Sequence, residues 1–334
     1  MKIGILTLPL SNNYGGTLQN YALQVALKKL GHDSITLDYI PKRHWFPWIL
    51  ENMKTILLFF IPSKRRAITP TPYRWSRNKQ FERFTSNHII KTKTIREYSS
   101  SLMKAYKLDA IIVGSDQVWR PKFNRHIESS YLDFAYNYPI RKIAYAASFG
   151  VDTWEYTDQQ TVACQQLAQQ FDAISVREDS GIKLCEDYLH MKAVHVIDPT
   201  MLLEKSDYEE LIEHVKKDET SFLAAYILDP TDKKNEIVTQ KANEKNLLVR
   251  QFSMDKEAKL SVYEWLSMFR DSSFVITDSF HGVVFSIIFG KEFLCLGNGK
   301  RGQSRIDSLM RLYETGKLSE LKIKSMDFLS SHLE

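Results

Sequence analysis

The sequence predicts an α/β protein made of two sheets in tandem, each built from strands that alternate with helices. Three observations carry that reading. The chain opens as strand, glycine loop, helix, strand: residues 2–8, a polar loop at 11–20 containing Gly15 and Gly16, a helix stopped by Gly31, and a second strand at 34–39. The alternation continues to about residue 200 and restarts at Phe222 after a break near 200–220. Several strands also end in polar side chains where a helix should take over, the edge at which open α/β sheets bind ligands.

In the first half, a helix at 77–87 precedes a strand at 108–113 that flows into Gly114-Ser115-Asp116. A strand at 141–148, a helix at 157–170 and a strand at 173–176 ending at Arg177-Glu178 follow. A short helix at 180–189 then leads to a strand at 193–197, which ends at Asp198-Pro199-Thr200. The second half reads as strand 222–228, helix 232–245, strand 247–252, helix 261–270 and strand 273–277. A helical pattern at 283–289 stopped by Gly290, a strand at 292–296, a polar loop at 297–303 and a helix at 304–314 complete it. The domain boundaries predicted are 1–200, with an insert at 41–76, and 201–334.

Length supports two cores rather than one, at 334 residues. Hydrophobic residues make up 43% and charged residues 25%, as in ordinary globular proteins, and the net charge is only +5. That bias suits small anions or a membrane surface. It lacks the dense basic stripe of a nucleic-acid binder, so no nucleic-acid partner is expected. The cysteines, Cys164, Cys185 and Cys295, are odd in number and too far apart for a metal knuckle. They read as reduced buried thiols of a cytoplasmic protein, and Met1-Lys2-Ile3-Gly4 runs straight into a strand without a signal-peptide pattern.

The insert breaks the pattern. Trp45, Phe46 and Trp48 precede an apolar run at 56–61, and Lys64, Arg65 and Arg66 follow it. It is too short and too polar to span a bilayer, but residues 45–66 suit a peripheral contact with an anionic membrane. A flap folded onto the protein's own core is the alternative.

The densest polar stretch is Thr277-Asp278-Ser279-Phe280-His281-Gly282, between a strand and a helix. Asp278 or Ser279 could simply cap that helix. Gly15 and Gly16 could form a tight turn, or let backbone amides approach a phosphate or carboxylate. Four strand-end signatures line up along the chain: Asn13-Tyr14-Gly15-Gly16, Gly114-Ser115-Asp116, Ser175-Val176-Arg177-Glu178 and Asp278-Ser279-Phe280-His281-Gly282. In order and spacing they resemble the polysaccharide pyruvyl transferase family over nearly the whole chain.

The resemblance implies two Rossmann-like domains in a GT-B-like arrangement, with the site in the cleft between them. It also implies phosphoenolpyruvate as donor, a sugar hydroxyl pair as acceptor, bacterial-type surface polysaccharide biosynthesis as the setting, and no cofactor. His281 matches the family's histidine and Arg177 its first arginine. Members commonly carry Arg-Leu before the histidine, where this chain has Ser279-Phe280. Arg301, Lys300 or Arg305 would then supply the missing cation, or the donor differs.

Ketal formation from an enol phosphate needs an acid for the methylene carbon, cations for carboxylate and phosphate, and a base for the attacking hydroxyl. His281 can serve as acid or base. Asp116 can orient or deprotonate a hydroxyl, and Asp278 is expected to fix the histidine tautomer. Arg177 can fork onto an anion, unless it pairs with Glu178 or Asp179. Asn13, Gly15, Gly16, Ser115, Ser279 and Arg301 complete the expected binding set. No metal-ligand spacing is present. A nucleotide-sugar glycosyltransferase and a non-catalytic glycan-assembly protein are the competing readings. A lipid-linked acceptor would give the 45–66 segment a reason.

Overall fold

The computed structural model describes residues 1–10, 13–40, 79–124, 126–253, 260–298 and 302–334. The predicted 41–76 insert, with its 45–66 segment, lies outside the described residues, as do Lys300 and Arg301.

Two parallel sheets form the frame, as the alternation predicts. The first contains β1 (Lys2–Leu6), β2 (Asp33–Thr36), β3 (Ala110–Val113), β4 (Arg141–Ala147), β5 (Ala173–Val176) and β6 (Val194–His195), in the order β2-β1-β3-β4-β5-β6. The second contains β7 (Phe222–Tyr226), β8 (Leu248–Phe252), β9 (Phe274–Thr277) and β10 (Glu292–Cys295), in the order β10-β9-β7-β8. Central strands such as Ala110-Ile111-Ile112-Val113 and Phe274-Val275-Ile276-Thr277 are buried along their whole length, because helices cover both faces. Each sheet has a point where successive strands are laid down in opposite directions. It falls between β1 and β3 in the first and between β7 and β9 in the second. Ligands of open sheets bind outside the carboxyl ends of the strands at such points. Here both points open toward one cleft.

The helix Tyr14–Lys29 fixes the first sheet's edge. It buries a polar face, with Thr17, Gln19, Asn20 and Gln24 beneath it. Gln24 Nε2 donates to Thr36 Oγ1 at 2.9 Å and the Ile90 amide donates to Gln24 Oε1, while Thr36 Oγ1 donates to Asn20 Oδ1 at 2.7 Å. These bonds hold the helix over β2 and leave Gln19 free to reach the strand ends.

The two units share an aromatic seam. The Tyr14 ring stacks on Trp265 with centroids 5.1 Å apart, and its hydroxyl donates to the Leu260 carbonyl at 2.8 Å. Trp265 also meets Phe269, Phe285 and Tyr226, each a buried ring of the second unit. Aromatic pairs add about 0.5–1.5 kcal/mol each beyond the area they bury. The seam therefore makes a stiff join beside the cleft.

Helices stand where the sequence reading placed none at Ser101–Tyr106, at Lys205–Leu211 in the break, and at Leu318–Leu333. The last helix returns to the first sheet. Ser325 Oγ accepts from the Ile197 amide at 2.9 Å, Arg141 Nη1 donates to the His332 carbonyl at 2.9 Å, and Phe328 lies 6.3 Å from Tyr145.

Candidate active site

The cleft between the sheets has about 80 Å³ of room and is lined in part by Asn13, Gly15, Asp116, Ser279, Phe280, His281 and Arg305. Strand ends bring these side chains together. The helix Phe280–Ile288 starts at Ser279, whose Oγ accepts the Gly282 amide at 3.4 Å, so Ser279 acts as the cap. That cap turns His281 inward over Gly15. A Cβ on Gly15 would stand 2.0 Å from His281 Nδ1, so only glycine permits the contact. Gly16 is held nearly as tightly, its hypothetical Cβ lying 3.1 Å from Asn13 Nδ2 and 3.3 Å from Asp116 Oδ2.

Asp116 follows β3 in a left-handed backbone conformation, with φ at 74°. Its Oδ1 accepts its neighbour's Gln117 amide at 2.8 Å and its Oδ2 faces Asn13 Nδ2 at 3.5 Å. Ser115 belongs to the frame. Its Oγ donates to the Ala146 carbonyl at 3.1 Å and accepts from Gln19 Nε2 at 3.3 Å.

Arg177, at the end of β5, is buried one layer behind the cleft wall, its guanidinium 4.7 Å from the Phe280 ring centroid. Its Nη1 donates to Asp198 Oδ2 at 2.9 Å, and its Nη2 lies 3.7 Å from Asp116 Oδ1. Neither of the neighbours considered from sequence takes it. Glu178 Oε1 accepts from the amides of Phe149 and Gly150, and Asp179 pairs with Arg311. Nε and Nη2 of Arg177, and Nε2 of His281, are buried with no hydrogen-bond partner among the described residues. Buried polar groups in that state call for an explanation, and here both side chains are turned toward Asp198.

Asp278 does other work than the sequence reading expected. Its Oδ1 accepts the Leu228 amide at 2.6 Å, and its Oδ2 accepts from Asp229 N, Lys234 Nζ and Asn298 Nδ2. All of its capacity ties β9 to the end of β7. The carboxylate beside the histidine is Asp198, whose Oδ2 stands 3.7 Å from His281 Nε2. Burial pushes the Asp198 carboxyl up, but the His281 ring, the Arg177 guanidinium and Thr200 together hold it well below the usual carboxylate range.

The sequence profile of the polysaccharide pyruvyl transferase family matches residues 13–300. The chain belongs to that family. Among curated proteins, none matches it in sequence. Solved structures of partial likeness include a UDP-GlcNAc 2-epimerase from Neisseria meningitidis bound to UDP-GlcNAc, at 11% identity over 100% of this chain and 99% of that one, with a TM-score of 0.44. A glycosyltransferase from Rickettsia africae gives 10% identity over 98% and 92%, with a TM-score of 0.43.

In this pyruvyl transferase family member the Ser279-Phe280 pair carries no charge of its own, and a cation from another element stands beside it. Arg305, in the first turn of the helix Ser304–Glu314, lines the cleft with its guanidinium 5.5 Å from the Phe280 ring centroid. Phe280 thus carries a guanidinium from each of two helix and strand ends. Burial and the nearby Arg177 charge pull Arg305 down to about 10. Arg177 is already met by the carboxylates of Asp198 and Asp116, while Arg305 faces the cleft. Asp198 and Gln19 are site residues that the sequence reading did not place with His281, whereas Arg305 was one of the three cations it offered there. Asp198-Pro199-Thr200 follows the half-buried edge strand β6, and its polar end was the available signal. Among the described residues, no cluster of potential metal ligands occurs and no helix is long and apolar enough to cross a membrane.

Proposed function

We propose that the protein transfers the enolpyruvyl group of phosphoenolpyruvate to two hydroxyls of a sugar, forming a pyruvate ketal and releasing phosphate, in surface polysaccharide assembly. The observation that carries this is the joint placement of Arg305, His281 and Asp116 on one small cleft, with Arg177 directly behind. Arg305 takes the donor's negative charge, in place of the arginine that family members carry at the position of Ser279. Asp116 accepts the proton of the first sugar hydroxyl as its oxygen adds to C2 of the donor. His281 gives a proton to the methylene carbon, which becomes the methyl group. Phosphate then leaves C2, the second hydroxyl oxygen adds there, and its proton is released. Acid–base groups of this kind contribute roughly a hundred- to ten-thousandfold each.

The acceptor in this reading is lipid-linked, approached from the cytoplasmic face of a membrane. The test is mass spectrometry of candidate acceptor sugars after incubation with phosphoenolpyruvate, alongside a phosphate assay. A ketal-sized mass gain with matching phosphate release is expected. Release of nucleotide from a sugar nucleotide, with none of phosphate from phosphoenolpyruvate, would replace this reading with glycosyl transfer.

A further inference from the structure

We infer that Asp198 is the positioning residue of this site: it fixes the His281 ring with its proton on Nε2 and so leaves Nδ1, beside Gly15, as the nitrogen that exchanges a proton with substrate. The inference rests on the proposed reaction for its catalytic part and on geometry alone for its tautomer part.

Asp198 is completely enclosed, its side chain 0% exposed. One end is locked, because Oδ1 accepts both the Thr200 amide at 3.0 Å and the Thr200 hydroxyl at 2.6 Å. That leaves Oδ2 as a fixed acceptor. Three donors from three parts of the chain converge on it: Gln19 Nε2, Arg177 Nη1 at 2.9 Å and His281 Nε2 at 3.7 Å. Of the three, only His281 also lines the cleft. Arg177 and Gln19 are held from behind, so the carboxylate is an anchored anion with one partner that faces substrate. At 3.7 Å the Nε2 contact is beyond a hydrogen bond, but within reach of one on a small ring rotation. A lone pair on Nε2 would face the carboxylate and be repelled, whereas an N–H would be attracted, and this difference selects the tautomer. Nδ1 is then the free nitrogen. It lies against Gly15, which lines the cleft beside it and whose missing side chain makes room for the ring.

No other carboxylate can replace it. Asp278 is saturated by Leu228, Asp229, Lys234 and Asn298, and Asp116 is engaged by Gln117 and Asn13. The helix Pro199–Met201 and the helix Phe280–Ile288 pack on each other, so the Asp198–His281 contact also closes the joint between the units.

The experiment compares wild type with Asp198→Asn and Thr200→Val, the latter releasing the locked end while keeping the charge. Ring ¹⁵N spectra of histidine-labelled protein, with His281 assigned by its loss in His281→Gln, read the tautomer without any substrate. Wild type should show the proton on Nε2, Asp198→Asn should shift population to Nδ1–H, and Thr200→Val should give a mixture. Phosphate release from phosphoenolpyruvate with acceptor should fall at least about a hundredfold in kcat for Asp198→Asn and about tenfold for Thr200→Val, within the range of a displaced acid–base group. If Asp198→Asn does not fold, Thr200→Val carries both readouts. Ring signals unchanged in the variants, or a wild-type ring protonated on Nδ1 alone, would overturn the inference. So would full turnover in Asp198→Asn. A tautomer shift as expected, in a protein that never releases phosphate from phosphoenolpyruvate, would instead sink the proposed reaction and leave the Asp198 assignment standing.

Discussion

Arg177 and His281 belong to different sheets, yet both point at the same oxygen, Oδ2 of Asp198, at 2.9 and 3.7 Å. The contact makes the cleft a single electrostatic unit. A change in one side chain is felt by the other through a shared acceptor, and neither can be repositioned alone.

Replacing His281 by alanine should remove most turnover, roughly a hundred- to ten-thousandfold in kcat, while donor binding persists. Single-turnover phosphate release and calorimetric titration of phosphoenolpyruvate separate the two. Wild-type kcat in the variant would reduce the imidazole to a packing group.

Arg305→Ala should weaken donor binding by about ten- to hundredfold, the value of a charge-assisted hydrogen bond, and Arg305→Lys should recover only part. A matching signature is available without catalysis. Phosphate or phosphoenolpyruvate should raise the melting temperature of wild type by binding at Arg305, and raise that of Arg305→Ala much less.

Gly15→Ala tests the contact under the histidine. The new methyl group would fall 2.0 Å from His281 Nδ1, so the ring or the start of the helix must move. A loss of about 1–3 kcal/mol in stability and at least about tenfold in kcat is expected. Denaturant melts and steady-state rates report them, and an unaltered enzyme would show that the ring yields freely.

Asp278→Ala should behave in the opposite way to Asp198→Asn. It strands Lys234 and the Leu228 and Asp229 amides, so the expected cost is about 3–5 kcal/mol in folding. The His281 ring signals should stay where they are. A urea midpoint close to wild type would contradict the tying role.

Thiol reactivity follows burial. Cys164 and Cys185 are fully enclosed and pushed well above the usual thiol range by that burial, while burial, with Asp278 and Asp307 nearby, pushes Cys295 up to about 11. In the native protein at pH 8 an aromatic disulfide reagent should label Cys295 slowly and the other two only on unfolding. Rapid labelling of Cys164 would mean that the first core opens readily.

Much of this was legible in the residue pattern, and the reason differs from site to site. Arg177 and His281 stand at the ends of strongly apolar strands, and a polar residue there has few roles but function or capping. Asp278 stands at such an end too, and only the fold shows that its oxygens are spent on Leu228, Asp229, Lys234 and Asn298. Gln19 was hidden because the sequence pattern puts it in a polar loop at 11–20, whereas the helix already starts at Tyr14 and turns Gln19 toward the sheet. Arg305 was one of three cations that the sequence offered, and nothing local says that it folds back onto Phe280. The insert's predicted membrane contact falls on residues outside those described.

The helix Leu318–Leu333 has a consequence for how the molecule comes into being. It is the last part of the chain described, and it covers the first sheet by way of Ile197, Tyr145 and Arg141. While the chain is being synthesised, the first unit must therefore wait with part of its apolar surface uncovered until residues 318–333 have been made. Domains that emerge early usually fold as they appear. Here the first sheet is sealed by residues 318–333, and a stall or cut after residue 317 would leave that part of it open.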